Sequence, residues 1–141
     1  MDAGSGNGIL GIPVAVLNPD KTIFLIEPRK KKAEFLIYAV RKMMLSNVGI
    51  VRSNIEDFFK TRKKSSVTLL ARGFPDNTRL SSYVGKKLAS ELILITSEDK
   101  IKKMQKGIEK LAQKTYNVPF RDNLKIIHIT DVSRETQREN G

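Results

Sequence analysis

Gly6-Asn7-Gly8-Ile9-Leu10-Gly11-Ile12-Pro13-Val14-Ala15-Val16-Leu17, followed by Asn18-Pro19-Asp20-Lys21 and Thr22-Ile23-Phe24-Leu25-Ile26, is the stretch on which the reading of the fold turns. Ile12 to Leu17 and Thr22 to Ile26 are apolar, β-branched runs of the kind that makes strands. Between them proline presets a turn dihedral and Asn18 can bond back to the backbone, so the pattern predicts an N-terminal β-hairpin. Gly6 to Gly11 also spells the glycine pattern of dinucleotide-binding loops, a mechanism that needs a strand before the glycines and a helix directly after them. With residues 1–8 read as a flexible polar tail and a strand approached through Pro13 read next, that match counts as coincidence.

Outward from the hairpin, Phe35, Leu36, Val40, Met43 and Met44 recur at helical spacing in Lys32 to Leu45, predicting a central buried helix. Val48 to Val51 is a short strand or a loop, and Asn54 is placed to cap a helix at Ile55 to Lys60. Val67 to Ala71 reads as a buried strand, with Asp76 or Asn77 capping a helix over Thr78 to Ser90. Leu92 to Ile95 reads as an interior strand, and Thr96-Ser97-Glu98-Asp99 as the start of a helix. That helix carries Ile101, Met104, Ile108, Leu111 and Ala112 inside and a lysine arc through Lys114 outside; Leu124 to Thr130 is the last strand. The expected fold class is α/β (α+β): a two- or three-layer sandwich around a mixed sheet of about five strands with three main helices. The expected organisation is a tail (1–8), one basic domain (9–131) and a polar C-terminal tail (132–141).

The 141 residues hold 26 Lys and Arg against 15 Asp and Glu, a formal charge of +11. Residues 29–72 contribute 12 bases and 3 acids, or +9, so the excess sits mainly in one segment. Zero cysteines exclude disulfides, cysteine zinc clusters and a thiol nucleophile. The Gly8 to Leu17 apolar run is too short to span a bilayer, so neither export nor membrane insertion is expected and an intracellular place is.

Arg29, Lys30, Lys31, Lys32, Lys60, Arg62, Lys63, Lys64 and Arg72 form the first candidate site. Four bases at a helix entry oppose the helix dipole, which suggests a use outside the fold: neutralising phosphates of DNA or RNA. Phe74, after Arg72-Gly73, is placed to stack on an unpaired base. The expected function is therefore a non-enzymatic nucleic-acid-binding domain with no cofactor and no metal. An alternative is a scaffolding subunit docking an acidic protein and pairing a sheet edge, including with a second copy. A third reading starts from Asp76 and Glu98-Asp99-Lys100, a spacing that resembles the restriction-endonuclease-like superfamily and would imply a Mg²⁺-dependent nuclease. That family sets its acids on neighbouring strands, whereas here helix capping accounts for both acidic positions. The single histidine, His128, reads as a structural strand residue, since one histidine without cysteines builds no metal site.

Overall fold

The computed structural model describes residues 1–60 and 66–131. The chain divides into two compact units, Met1–Arg62 and Lys63–Gly141.

In the first unit the elements are β1 (Asp2–Ala3), α1 (Gly11–Leu17), β2 (Ile23–Ile26), α2 (Lys30–Lys42), β3 (Val48–Val51) and α3 (Ile55–Lys60). The strands run in the order β3-β2-β1 and all pair in parallel, Asp2 opposite Leu25 and Ile26 opposite Val51. Parallel neighbours need a crossover, and α1 and α2 supply it. Ala15 of α1, Ile23 and Leu25 of β2, and Leu36 and Val40 of α2 close into one core cluster. Asn54 caps α3 as expected, accepting the Asp57 N–H at 2.8 Å, and Phe58 and Phe59 are both buried.

The predicted hairpin is overturned, because Ile12 to Leu17 lies in helix α1. The turn itself is real: Lys21 N–H donates to Asn18 O at 3.1 Å, but it joins a helix to a strand. Proline inside the first turn removes no intrahelical bond, so Pro13 fits. Gly11 and Ala15, four residues apart, are buried, a helical spacing that the β-branched run concealed. The helical preference lost at Val and Ile is only a few tenths of a kcal/mol each, which tertiary packing outweighs. Residues 1–8 likewise are placed as strand and loop, with Met1, Asp2, Ala3, Ser5 and Gly8 buried.

In the second unit the elements are β4 (Thr68–Arg72), α4 (Asn77–Gly85), β5 (Glu91–Ser97), α5 (Glu98–Ile108), β6 (Leu111–Val118) and β7 (Arg121–Asp131), with strand order β4-β5-β7-β6. β4 and β5 are parallel, while β7 runs antiparallel to both β5 and β6. Leu92 opposite Ile129 and Leu94 opposite Ile127 are fully buried. The expected long helix ends at Ile108, and Leu111 and Ala112 open β6 instead. Thr115, Tyr116 and Val118 suit a strand, and each stands opposite a residue of β7.

Seven strands and five helices among the described residues therefore replace the expected five strands and three helices. Among the described residues no helix is long and apolar enough to cross a membrane. The expected tail at 132–141 lies outside the described residues.

Candidate functional site

In the first unit the chain leaves β1 into a loop of glycines. Gly4 and Ser5 donate their N–H groups to Ile26 O at 2.9 and 3.0 Å, which ties the loop to the C-terminal end of β2. Gly4, Gly6 and Gly8 have φ of 70°, 58° and 76°, left-handed values that favour glycine. A Cβ on Gly8 would lie 2.5 Å from Ile12 Cδ1, and one on Gly11 would overlap Leu25. A Cβ on Gly6 would make only ordinary contacts, with Gly4 O at 3.9 Å and Lys32 Nζ at 4.0 Å. Asp2 fixes the far side of the loop, its Oδ2 accepting the Gly11 N–H at 3.0 Å. Burial raises the Asp2 carboxyl above the usual carboxylate range, although the hydrogen bonds from Gly11 and Ser5 work against that.

Glu27, just beyond β2, faces this loop. Its Oε2 accepts the Gly6 N–H at 2.8 Å, and its Oε1 accepts the Arg29 N–H at 3.0 Å and Arg29 Nε at 2.8 Å. Arg29 Nη2 reaches Oε2 at 3.3 Å. Glu27 has 0% of its surface exposed. Burial by itself would raise its carboxyl, but the Arg29 guanidinium and the Arg29 and Gly6 amides outweigh it and hold the group below its ordinary value.

The pieces required of a nucleotide-type glycine loop are thus present: β1 before it, α1 after it, and an acid at the end of the next strand. The strand before the glycines and the helix after them, which the reading of Gly6 to Gly11 as coincidence took to be missing, are both in place. In open α/β sheets ligands bind beyond the carboxyl ends of the strands, and an acid about 20 residues past the first glycines accepts the ribose hydroxyls. Glu27 stands 21 residues after Gly6, a signal that was available once a strand was admitted before the loop.

The expected phosphate contacts are distributed as follows. Arg29 is bound to Glu27, Lys30 pairs with Glu34 at 3.9 Å, and Lys60 pairs with Asp57 at 2.6 Å. Lys31 is exposed and Lys32 half-buried in the first turn of α2, which has no acidic residue. Arg72 is exposed at the end of β4 and Phe74 half-buried behind Gly73; Arg62, Lys63 and Lys64 lie outside the described residues. For the nuclease reading, Asp76 is the N-cap of α4, accepting the Arg79 N–H at 2.9 Å. Glu98 and Asp99 occupy the first turn of α5. No group of three metal-ligating side chains occurs among the described residues. His128 Nε2 lies 2.7 Å from Glu91 Oε2.

The chain is similar in structure to precorrin-6y C5,15-methyltransferase from Geobacter metallireducens, with TM-score 0.72 and 16% identity over 92% of this chain and 79% of that one. It is similar also to M. capricolum TrmK in complex with S-adenosyl-homocysteine, with TM-score 0.66 and 18% identity over 93% of this chain and 61% of that one. These likenesses show a Rossmann-like methyltransferase fold, correcting the expected five-strand sandwich. In sequence it is 37% identical over 83 residues to ribosomal RNA small subunit methyltransferase G of Vibrio campbellii, covering 59% of this chain. The chain spans 38% of the length of that relative. The expectation of a non-enzymatic binding domain is overturned by a family match over residues 1–129: the chain belongs to the GidB family, rRNA small subunit methyltransferase G.

Proposed function

We propose that this chain carries the cofactor-binding part of an S-adenosylmethionine-dependent rRNA methyltransferase. The observation that carries the reading is the buried Glu27 carboxylate, fixed by the Gly6 amide beside a glycine loop that follows β1. The donor set fits the nucleoside half of the cofactor: a carboxylate accepts two adjacent hydroxyls, and the glycine at position 6 puts no side chain between a ligand and the backbone. When bound, the cofactor supplies an electrophilic methyl group on a sulfonium. Glu27 would hold the ribose, and Asp2 keeps the start of α1 in place through the Gly11 N–H.

Lys30, Lys31, Lys32 and Lys60 in the first unit, and Arg72 and Phe74 in the second, are the residues we assign to rRNA, the lysines by phosphate neutralisation. Arg62, Lys63 and Lys64 belong with them by charge. The placement of Lys30, Lys31 and Lys32 against the α2 dipole, in a first turn without an acidic residue, supports this assignment.

The test is calorimetric binding of S-adenosyl-homocysteine to the 141-residue chain and to Glu27→Gln. The amide presents an N–H₂ to donors from Gly6 and Arg29, and loss of charged hydrogen bonds is worth about 1.5–3 kcal/mol. Binding weaker by about tenfold or more is expected in the variant. Equal binding in the two proteins, or none in the unaltered chain, refutes the reading.

A further inference from the structure

A carboxylate offers about four lone-pair positions, and in Glu27 all of them have donors: Gly6 N–H and Arg29 Nη2 on Oε2, Arg29 N–H and Nε on Oε1. With 0% of Glu27 exposed, no hydroxyl can reach it unless a donor leaves. Two of the four donors are backbone amides, held by the loop and by the start of α2. The other two belong to one guanidinium, whose side chain is 62% exposed. That side chain alone can swing into solvent without unfolding anything.

We infer that Arg29 is a displaceable plug: its guanidinium occupies, on Glu27, the positions a nucleoside diol takes, so ligand and side chain compete for one carboxylate. The inference rests on the assignment of Glu27 to a ribose. Arg29 then sets specificity and affinity together, since only a ligand with two adjacent hydroxyls replaces both bonds that the guanidinium gives up. A ligand with one or none leaves a buried carboxylate short of donors, which is costly.

Replacing Arg29 by alanine removes the competitor and keeps both backbone donors, so the carboxylate stays in place with two free positions. Binding of S-adenosyl-homocysteine, adenosine and 2′,3′-dideoxyadenosine is measured by calorimetry on the unaltered chain, Arg29→Ala and Arg29→Lys, with circular dichroism as the folding control. Arg29→Ala is expected to tighten adenosine and S-adenosyl-homocysteine by about two- to fivefold, the equivalent of an ion pair with one exposed partner. Dideoxyadenosine is expected to gain nothing, and Arg29→Lys, which keeps charge without the fork, to fall between. Weaker or unchanged binding of the diol ligands in Arg29→Ala overturns the inference. So does equal tightening of all three ligands, which would mark a general charge effect. If the unaltered chain prefers adenosine over its dideoxy form, those two failures leave the ribose assignment standing; if it does not, assignment and inference fall together.

Discussion

Alanine at Gly8 and at Gly6 separates two causes of glycine use in one loop. Both positions have left-handed φ, 76° and 58°, so each substitution carries a backbone cost of about 1–2 kcal/mol. Each also restricts the unfolded chain in the same way, so that effect cancels in the comparison. Their surroundings differ. At Gly8 the new methyl would stand 2.5 Å from Ile12 Cδ1 and 2.9 Å from Leu36 Cδ2, and Leu36 is fully buried. Forcing a methyl into such packing costs about 1–3 kcal/mol more. At Gly6 the nearest atoms are Gly4 O at 3.9 Å and Lys32 Nζ at 4.0 Å, ordinary contact. Urea unfolding is the assay; with a slope of about 1–3 kcal/mol/M, Gly8→Ala is expected to unfold at roughly 1 M lower urea than Gly6→Ala. In ligand binding the order reverses in kind: Gly6→Ala keeps its fold but adds a methyl beside the amide that donates to Glu27, and is expected to lose S-adenosyl-homocysteine. Equal midpoints for the two variants, or full binding by Gly6→Ala, would refute the reasoning.

Four further outcomes follow from the same structure. Leu36→Ala removes a side chain with 0% exposure from the first unit's core and is expected to cost about 2–5 kcal/mol in denaturant unfolding. The Glu27 carboxyl is held low in the folded chain, so its contribution is complete above the ordinary glutamate value and is lost as pH falls through the folded one. Glu27→Gln should therefore flatten the stability loss below about pH 4, read by thermal melts across acid buffers, while Asp2, raised by burial, runs in the opposite sense in both proteins. Asp76→Ala deletes the α4 cap and is expected to cost about 1 kcal/mol, with no Mg²⁺-dependent cleavage of RNA or DNA by either protein. Replacing Lys30, Lys31 and Lys60 together by alanine should lower the salt slope of RNA binding by about two units on single strands, measured by fluorescence anisotropy across a salt series, while an unchanged slope would remove these lysines from the interface.

The sequence alone determined the elements whose periodicity is strong and whose termini carry their own chemistry. Helix α2 with Leu36 and Val40 inside, though Phe35, Met43 and Met44 of its expected stripe are exposed, the Asn54 and Asp76 caps, and strands such as β5 and β7 follow from spacing and side-chain hydrogen bonding, both local properties. It also displayed the glycine pattern of the site and the acid after it. Only the tertiary structure decided what those meant. β1 is two residues long, too short to show a period, and it is a strand because Asp2 and Ala3 pair with Leu25 and Ile26 far along the chain. The run Ile12 to Leu17 has a strand's composition, yet parallel pairing of β1 with β2 requires a crossover, and burial of Gly11 and Ala15 against β2 supplies the helix. Glu27 acquires its role in the same way: an acid beside Pro28-Arg29 is unremarkable until the backbone of Gly6, 21 residues earlier, donates to it, because a site assembled from separated segments has no local signature.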